Sequence, residues 1–407
     1  MRQRLITLAF IVAAVGLAGA ALWLEPRTAS PGVFDDQGQS FYPEFKDPMA
    51  CKALEIVAYD EATATARPFK VEFRNRRWTL PSHYNYPADA RERLAKTAAA
   101  LMDLKKDIVR SDSVSDHGAF GVIDPLDAKS TGLAGRGKRV TLRDEKGAVL
   151  ADFIIGKSVA DKFGYKYVRL PGQKRTYAVK TDADPSANFE DWIETDLLKL
   201  SATDIRKIVV NNYSINEELG QLENVDRSVL TKERDKWTLA GGGRAKAVVV
   251  DAMTVALDNL TIVGVQPKPA ALTKDLKAAE GITLSLDSMM SLRQKGFFVT
   301  QSGQLLSNEG ELIIETSKGL VYTLRFGEVA PGGPGTDDDK TRERRYLFIT
   351  VKYDEERAKL YNDGDAATVR DSGQRLAREL TNRFADWYYV ISGADFSKLR
   401  PRAKDLS

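Results

Sequence analysis

The sequence is poor in the residues that most often carry chemistry. Cysteine occurs once, at Cys51, so no intramolecular disulfide is possible, and histidine occurs only at His83 and His117. The patterns CxxC and HExxH are missing, which leaves almost nothing for a zinc site. The hydrolase patterns GxSxG and SxxK are missing as well. We therefore expect the protein to work without a metal or another cofactor.

A surplus of one charge is also lacking. The 407 residues include 60 basic and 57 acidic side chains, for a formal net charge of +3. Domains that bind nucleic acid usually carry a concentrated basic excess, so we expect no nucleic-acid partner. The hydrophobic share of 43% and the charged share of 29% are typical of a folded protein. Because a single core stops growing near about 250–300 residues, two domains are expected.

One apolar run near the N-terminus is long enough to cross a bilayer. No charged residue occurs from Leu5 to Leu24, and these 20 positions would span about 30 Å as a helix. Arg2 and Arg4 precede the run, and this charge bias places the rest of the chain outside the cytoplasm. We predict a single-pass anchor over 1–24 in the bacterial cytoplasmic membrane. The small residues "AGA" within the run leave a cleaved signal peptide as the alternative.

The composition of the chain changes at residue 25 and again at residue 51. Residues 25–50 are rich in proline and read as an extended tether, partly docked through the aromatic residues Phe34, Phe41 and Tyr42. Residues 51–200 alternate in hydrophobicity as strands do and surround one amphipathic helix that opens near Pro87. The stretch "FEDWIETDLLKL" at 189–200 reads as a further helix. We assign 51–200 to a first folded module.

The same order of patterns returns in the second half of the chain. "RNRRWTL" at 74–80 reappears as "ERDKWTL" at 233–239, and this is one of six matches that occur in the same order in both halves. The paired positions that mark the growing offset are Trp78 with Trp237 (159), Gly147 with Gly319 (172), and Trp192 with Trp387 (195). Insertions into the second copy would produce this growth, so we predict an internal duplication with a second module over 201–407.

Several hairpins and one clear helix in each copy define the predicted fold class. It is α+β: two tandem related modules of mainly antiparallel sheet with packed helices, preceded by one N-terminal transmembrane helix. We expect Trp78 and Trp237 to pack the helix of each copy onto its sheet, since large aromatic residues at matched positions are usually core.

The motifs of the first copy also resemble those of a known family. "WTLPSHYNYPADA", "FGVIDP", "VTLRDEKGAVLADFIIGK", "YVRLPGQKRTYAV" and "FEDWI" are similar to those of the bacterial family called domain of unknown function 4340. The resemblance covers roughly 50–200 and extends more loosely into the second copy. It implies a membrane-anchored, extracytoplasmic part of an uncharacterised ABC-transport system of the gliding-type auxiliary kind. It assigns no catalytic residues.

The segment "SHYNYPADA" is the best local candidate for recognition. His83, Tyr84, Asn85 and Tyr86 lie at a helix entrance, and this mixture of side chains suits contacts with a polar partner. The competing interpretation is a helix-start loop whose two tyrosines are packed. In the second copy "AGGGRAKAV" takes this place, so the same surface would be absent there.

Two other stretches look like binding motifs but have simpler explanations. "GLAGRGKR" at 132–139 has phosphate-loop spacing, yet Arg139 stands where a serine or threonine would hold magnesium. It also precedes a predicted strand instead of a helix, so we expect no nucleotide. "GTDDDKTRERR" at 335–345 lacks the spaced ligands of a calcium loop and reads as a solvated hairpin connection.

These observations favour a non-enzymatic protein. We expect a membrane-anchored, extracytoplasmic scaffold or accessory subunit of an ABC-type transport system, with the membrane and protein subunits as partners. One alternative is an envelope hydrolase using paired carboxylates such as Asp89 and Asp191. Another is a ligand-binding protein with a cleft between the modules. An apolar surface patch would favour the scaffold, and clustered acids in an enclosed pocket would favour the enzyme.

Overall fold

A computed structural model describes residues 36–130, 132–216, 221–234, 236–241, 243–278, 285–300, 302–331, 343–361 and 366–407. The predicted anchor from Leu5 to Leu24 lies outside these residues, and so does Phe34 of the predicted tether. Among the helices of the described ranges, none has both the length and the apolarity that a membrane crossing requires.

The first half of the chain builds one nine-stranded sheet. Its elements are β1 (Ala53–Asp60), β2 (Thr65–Arg74), β3 (Arg77–Leu80), β4 (Tyr86–Pro87), α1 (Arg91–Met102), β5 (Ile108–Ser111), α2 (His117–Phe120), β6 (Lys138–Arg143), β7 (Val149–Ser158), β8 (Tyr165–Arg169) and β9 (Thr176–Lys180). The strand order is β4-β3-β2-β1-β6-β7-β8-β9-β5.

The second half builds another nine-stranded sheet with additional helices. Its elements are β10 (Ile205–Asn216), β11 (Gln221–Glu233), β12 (Lys236–Leu239), β13 (Gly243–Arg244), α3 (Ala247–Asp258), β14 (Gly264–Pro267), α4 (Ala270–Ala278), α5 (Leu286–Arg293), β15 (Phe297–Val299), β16 (Leu305–Ser307), β17 (Glu311–Thr316), β18 (Leu320–Val329), β19 (Arg344–Tyr353), α6 (Glu355–Tyr361), α7 (Ala366–Ala385), β20 (Trp387–Ser392), α8 (Gly393–Leu399) and α9 (Ala403–Leu406). The strand order is β13-β12-β11-β10-β17-β18-β19-β20-β14, and β15 pairs with β16 separately.

The two sheets have the same strand order when the nine strands of each sheet are numbered along the chain, without the separate β15–β16 hairpin. The α+β class with mainly antiparallel sheet is therefore confirmed. The tryptophan hairpins also share their register. Phe73 pairs with Trp78 and Lys232 pairs with Trp237, and in both hairpins this is the second residue pair from the turn. In the first hairpin the turn residue Asn75 has a φ of 51°, as two-residue connections require.

Three details of the sequence-based prediction are wrong. The motif "FEDW" forms only a short 3₁₀ turn at Phe189–Trp192. The motif "FADW", which the prediction pairs with it, runs from the end of α7 into β20, so the two motifs do not occupy equivalent places. Residues 189–200 do not form an α-helix, because the short turn ends at Ile193, whose backbone is extended with φ −118° and ψ 163°. Trp78 and Trp237 are only half-buried, and Trp78 packs on Phe73 of the neighbouring strand instead of lying in the core.

Packing divides the chain into two compact units. Unit 1 comprises Met1–Pro68 and Leu94–Pro185, and unit 2 comprises Phe69–Arg93 and Ser186–Ser407. The boundary falls within β2, so β3 and β4 count with unit 2. The module boundaries at 51–200 and 201–407 remain predictions.

The described part of the predicted tether is docked on unit 1. The Phe41 ring is buried and meets Phe153 and Tyr177 edge-on, with ring centroids 5.5 and 5.2 Å away. The Tyr42 hydroxyl donates to the Asp152 carbonyl at 2.7 Å. Burial of the Phe41 ring favours the docked state, because a fully buried phenylalanine side chain contributes about 1.5–3 kcal/mol.

Unit 2 has an additional layer, which is formed by the part of the chain that follows β14 and precedes β17. Helices α4 and α5 and the β15–β16 hairpin cover β19 and β20, and the core between them is apolar. Its buried members are Leu272, Leu292, Phe297, Leu305, Ala330, Tyr346, Phe348, Tyr388 and Val390. Across this layer the sequence offset grows by 13 positions, from 159 to 172, and the larger growth, from 172 to 195, comes after it.

A pair of glycines marks the same backbone crossing in both halves. Gly156 in β7 and Gly327 in β18 each lie beside a register shift in the sheet. A Cβ atom at Gly156 would lie 2.5 Å from the Phe120 carbonyl oxygen, and one at Gly327 would overlap the Lys295 carbonyl oxygen. Only glycine allows a backbone segment to approach a strand this closely.

Candidate functional site

The predicted recognition loop forms a tight connection between β3 and β4. A 3₁₀ turn covers Pro81–His83, and Tyr84 and Asn85 then adopt left-handed φ values of 56° and 60°. The Asn85 amide donates to the Leu80 carbonyl at 3.0 Å and closes the turn. Asparagine tolerates this conformation, but tyrosine adopts it at a cost, so the surrounding contacts hold the loop in place.

Two of the four loop side chains are used for packing inside unit 2. The His83 ring stacks on Phe189, with centroids 4.7 Å apart and planes 29° from parallel. Tyr86 is buried, and its ring meets Trp387 at 5.1 Å and Phe189 at 5.5 Å. Burial lowers the pKa of His83 and raises the pKa of Tyr86, because it disfavours the charged form of each group.

The other two loop side chains face solvent. Tyr84 is 56% exposed, and Asn85 is exposed as well. The structure therefore brings His83 and Tyr86 together with Phe189 and leaves Tyr84 and Asn85 on the outside. A recognition role for the loop stays a prediction, and the side chains still available for it are Tyr84 and Asn85.

The carboxylates proposed for a hydrolase have different surroundings. The carboxylate of Asp191 accepts a hydrogen bond from the Ser186 hydroxyl and lies 3.6 Å from the guanidinium of Arg93. At Asp89 the backbone amide donates to the Trp192 carbonyl at 2.8 Å. Within the described ranges, no group of three or more histidine, cysteine or acidic residues could hold a metal ion. The Asp191 carboxylate is therefore held by Ser186 and Arg93.

The segment with phosphate-loop spacing is a folded connection in unit 1. It leads into β6 at Lys138, as predicted, and the Lys138 ammonium donates to the Asp184 carboxylate at 2.6 Å. The Arg136 guanidinium donates to five carbonyl oxygens, those of Asp124, Pro125, Asp127, Ser130 and Gly132. Of the acidic connection at 335–345, residues 335–342 lie outside the described residues.

An apolar groove of about 520 Å³ opens on the additional layer of unit 2. Its walls come from α5, from the β15–β16 hairpin and from the ends of β10 and β11. The lining side chains are Ile215, Leu222, Leu286, Met289, Met290, Leu292, Arg293, Phe297, Phe298, Val299, Thr300 and Leu306. Ten of these twelve residues are apolar, so the groove offers an apolar ligand a continuous surface.

The groove residues are exposed to an unusual degree for their type. Leu286 is 70% exposed, Met290 is 55% exposed and Met289 is 43% exposed, although all three belong to one helix of eight residues. Monomeric proteins seldom leave such patches uncovered, and larger ones mark interaction sites. Methionine adapts to differently shaped partners because its side chain is unbranched and polarisable. The groove is therefore the strongest candidate binding surface of the described chain.

Sequence reasoning missed this groove for an identifiable reason. The stretch "SLDSMMSLRQ" at 285–294 contains the helix and the adjacent methionines, but periodicity does not show which helical face is covered. Only the position of α5 over β15, Phe297–Val299, leaves Met289 and Met290 outside. The one usable signal was that these residues fall inside the insertion of the second copy.

Comparison with known proteins identifies a family without an assigned activity. Residues 78–280 match the family described as Domain of unknown function (DUF4340). No curated protein and no solved structure matches the chain. The match begins within β3, covers the recognition loop, α1 and the strands β4 to β9, and continues through α3 and α4; it leaves out β1 and β2.

Proposed function

This chain belongs to the DUF4340 family, and from that premise we propose that it is a non-enzymatic, membrane-anchored scaffold or accessory subunit outside the cytoplasm. Its work would be to hold another subunit of a membrane complex of the ABC-transport type. The transport context comes from the resemblance of its motifs to the family. The apolar run from Leu5 to Leu24 supports the membrane attachment.

We also propose that the two halves arose by duplication of one module. The identical strand order of the two sheets supports this proposal. So does the pair of glycines, Gly156 and Gly327, at the same backbone crossing. In such a protein one copy can keep the fold while the other acquires insertions. The additional layer over β19 and β20 is such an insertion, and it carries the apolar groove.

The groove on α5 is the observation that carries the proposed function. Its exposed leucine and methionine side chains suit an amphipathic helix, which places apolar anchors at positions i, i+3 or i+4, and i+7. The eight residues of α5 extend about 12 Å, which matches about two turns of a partner helix. We propose that the occupant is such a helix of a membrane-embedded partner subunit.

Site-specific photo-crosslinking in native membranes tests this function. A photoreactive phenylalanine analogue replaces Met290 in the full chain, and the same analogue replaces Phe163 as the control. Phe163 is fully exposed in a connection of unit 1, so it is at least as accessible as Met290 but lies outside the groove. We expect position 290 to crosslink to one integral membrane protein and position 163 to give no such product.

Two substitutions sharpen the result. Met290→Asp is expected to lower the crosslinking yield from a probe at Phe298 at least about tenfold, because loss of a central anchor typically costs about 2 kcal/mol. Met290→Leu keeps an apolar anchor of similar volume and is expected to retain the yield. Equal yields at positions 290 and 163, or a product unaffected by Met290→Asp, would contradict the proposal.

A further inference from the structure

One matched pair of positions in the two halves differs in chemistry. The carbonyl oxygen of Phe120 lies against Gly156 in β7, and the carbonyl oxygen of Lys295 lies against Gly327 in β18. Phe120 and Lys295 also each precede a glycine with positive φ. The two residues therefore hold the same place in their halves, where the first half has an aromatic ring and the second half has an amine.

The side chains that these two residues contact also correspond. The residue before each of the two strand glycines pairs with the residue that follows Tyr167 in the first half and Tyr346 in the second. The Phe120 ring stacks on Tyr167, with centroids 4.4 Å apart. In the second half, the Lys295 Nζ atom lies 5.7 Å from the centroid of the Tyr346 ring. Packing at this crossing is thus satisfied by an aromatic side chain and does not require an amine.

The Lys295 amine is enclosed by aromatic rings and has no anionic partner. The residue is only 9% exposed, and its Nζ atom also lies 4.9 Å from the centroid of Tyr388. Among the residues that the structure describes, no hydrogen bond or carboxylate supports the ammonium group, and burial lowers its pKa. Buried lysines are almost always paired. An unpaired one therefore points to a ligand.

Lys268 provides the comparison within the same core. Its Nζ atom lies 5.3 Å from the centroid of the same Tyr388 ring, and its side chain is buried as well. This amine donates to the carbonyl oxygens of Phe384 at 2.7 Å and Trp387 at 2.6 Å, so it is satisfied. The Lys295 nitrogen has no such acceptors but keeps a small area open to solvent, through which a ligand can reach it.

The acidic side chains of the surrounding segments do not pair with Lys295. The Glu328 amide donates to the Lys295 carbonyl at 2.9 Å, but the Glu328 carboxylate accepts a hydrogen bond from Asn308. Asp287, in the first turn of α5, acts on the Tyr388 hydroxyl, whose pKa burial raises to about 12. Two further carboxylates are held by basic side chains: Glu309 by Arg345 and Arg400, and Asp386 by Lys277.

Polar groups of the recognition loop and of β14 lie beside this amine's tyrosine. Burial raises the pKa of the Tyr346 hydroxyl, and Tyr84 and Gln266 are close enough to affect it as well. Tyr84 is 56% exposed and is one of the two loop side chains still available for recognition. An ammonium group, two phenol hydroxyls and an amide therefore surround the Tyr346 ring, and all of them can donate hydrogen bonds.

We propose that Lys295 is the centre of a binding site for a single carboxylate group. One ammonium group matches the single charge of a carboxylate. A phosphate group carries about 1.5 to 2 negative charges near pH 7 and is usually held by several basic side chains. The carboxylate belongs to a small ligand or to an acidic side chain of a partner subunit, and both present the same chemistry. The site is separate from the groove on α5 and does not depend on the proposed anchor.

Chemical labelling of the amines tests the site in the full chain. Formaldehyde with cyanoborohydride methylates lysines in detergent, with propionate present or with sodium chloride at equal ionic strength, and mass spectrometry gives the rate at each lysine. A bound carboxylate favours the unreactive ammonium form, so propionate should slow Lys295 at least about tenfold, as a pKa raised by about one unit or more implies. Lys146, exposed in a turn of unit 1, is the control and should not respond.

Thermal unfolding of variants gives a second readout. Propionate should raise the unfolding midpoint of the wild type, because it binds the folded state alone. Lys295→Met keeps the apolar stem and should abolish this increase. In sodium chloride the same variant should unfold at a higher temperature than the wild type, since it lacks the unpaired buried charge. Lys146→Met makes the same change on the surface and should retain the response to propionate.

Each remaining outcome decides the proposal. Lys295 that is protected in native membranes, but not by propionate after purification, assigns the carboxylate to an acidic side chain of a partner subunit. Lys295 that is protected in neither setting overturns the site. Protection by inorganic phosphate but not by propionate overturns the assignment to a carboxylate. A propionate effect on the unfolding midpoint that persists in Lys295→Met places the binding elsewhere and overturns the role of Lys295.

Discussion

The imidazole of His83 shows how much one side chain depends on its neighbours. It stacks on Phe189, and its Nδ1 lies 3.0 Å from the Ser82 hydroxyl. Burial lowers its pKa, because the charged imidazolium loses hydration there. The unfolded chain keeps an ordinary histidine pKa near about 6.5. Acidification therefore protonates the unfolded chain first and lowers the stability of the fold.

His83→Phe should make the protein less sensitive to mild acid. The ring preserves the stack on Phe189 but takes up no proton. The stability contribution of neutral His83 is present above the unfolded pKa and is lost as pH falls toward and through the lower folded pKa. We expect the free energy of unfolding to decline less in the variant than in the wild type between about pH 7 and about pH 5.

Urea unfolding at a series of pH values measures this difference. Comparison with the wild type at each pH removes the contribution of the carboxylates, which both proteins share. Parallel pH profiles would show that His83 titrates as it does in the unfolded chain, and the interpretation of its burial would then be wrong.

At the scale of elements, the β3–β4 connection illustrates a loop that is fixed by what it packs against. Its two left-handed residues, Tyr84 and Asn85, make the backbone costly in isolation. The adjacent Tyr86 compensates, since its buried ring contacts Trp387 at the start of β20 and Phe189. The loop is thereby part of the packing of unit 2.

Replacing each of the two tyrosines of this loop with alanine should change the free energy of unfolding by very different amounts. Tyr86→Ala removes a buried aromatic ring and is expected to cost about 3–5 kcal/mol of unfolding free energy. Tyr84→Ala alters an exposed side chain and should stay within about 0.5 kcal/mol. Urea unfolding followed by tryptophan fluorescence measures both, and Tyr86→Phe is the control that keeps the ring. Similar losses for the two alanine variants would contradict the observed burial.

At the scale of the whole molecule, each half uses glycine to let a backbone segment pass close to a strand. A chain segment leaves a helix through a glycine with positive φ, Gly121 or Gly296, and crosses a strand at a second glycine. These crossing glycines are Gly156 in β7 and Gly327 in β18. In the first half the segment at Phe120 passes β7, and in the second half the segment at Lys295 passes β18. β7 and β18 hold the same place in the shared strand order, so the two crossings correspond.

Alanine at either crossing glycine should therefore destabilise the protein. We expect Gly156→Ala and Gly327→Ala each to cost about 1–3 kcal/mol, because the added methyl group overlaps backbone carbonyl oxygens. Gly243→Ala is the control, since a Cβ atom there meets nothing within 4 Å. Thermal unfolding measures all three variants. A neutral result at either crossing, beside a neutral control, would refute the equivalence of the two crossings.

The sequence alone determined the local elements and their order. Period-two alternation and turn residues fixed the hairpins around Trp78 and Trp237, and the apolar face of Leu94, Ala98 and Leu101 fixed α1. The ordered matches led to two similar halves, and the two sheets do share one strand order. The hairpins and α1 depend on contacts between residues near each other in the chain, so a pattern in the sequence is enough to reveal them.

Only the tertiary structure decided which surfaces are covered. It buried Tyr86, stacked His83 on Phe189, separated the two "FxDW" motifs into different elements, and left Met290 and Val248 facing solvent. None of these outcomes follows from periodicity, because each depends on the element that lies opposite a residue far away in the sequence. A hydrophobic pattern predicts that a face is covered, and the packing of distant elements determines whether that face is covered or left exposed.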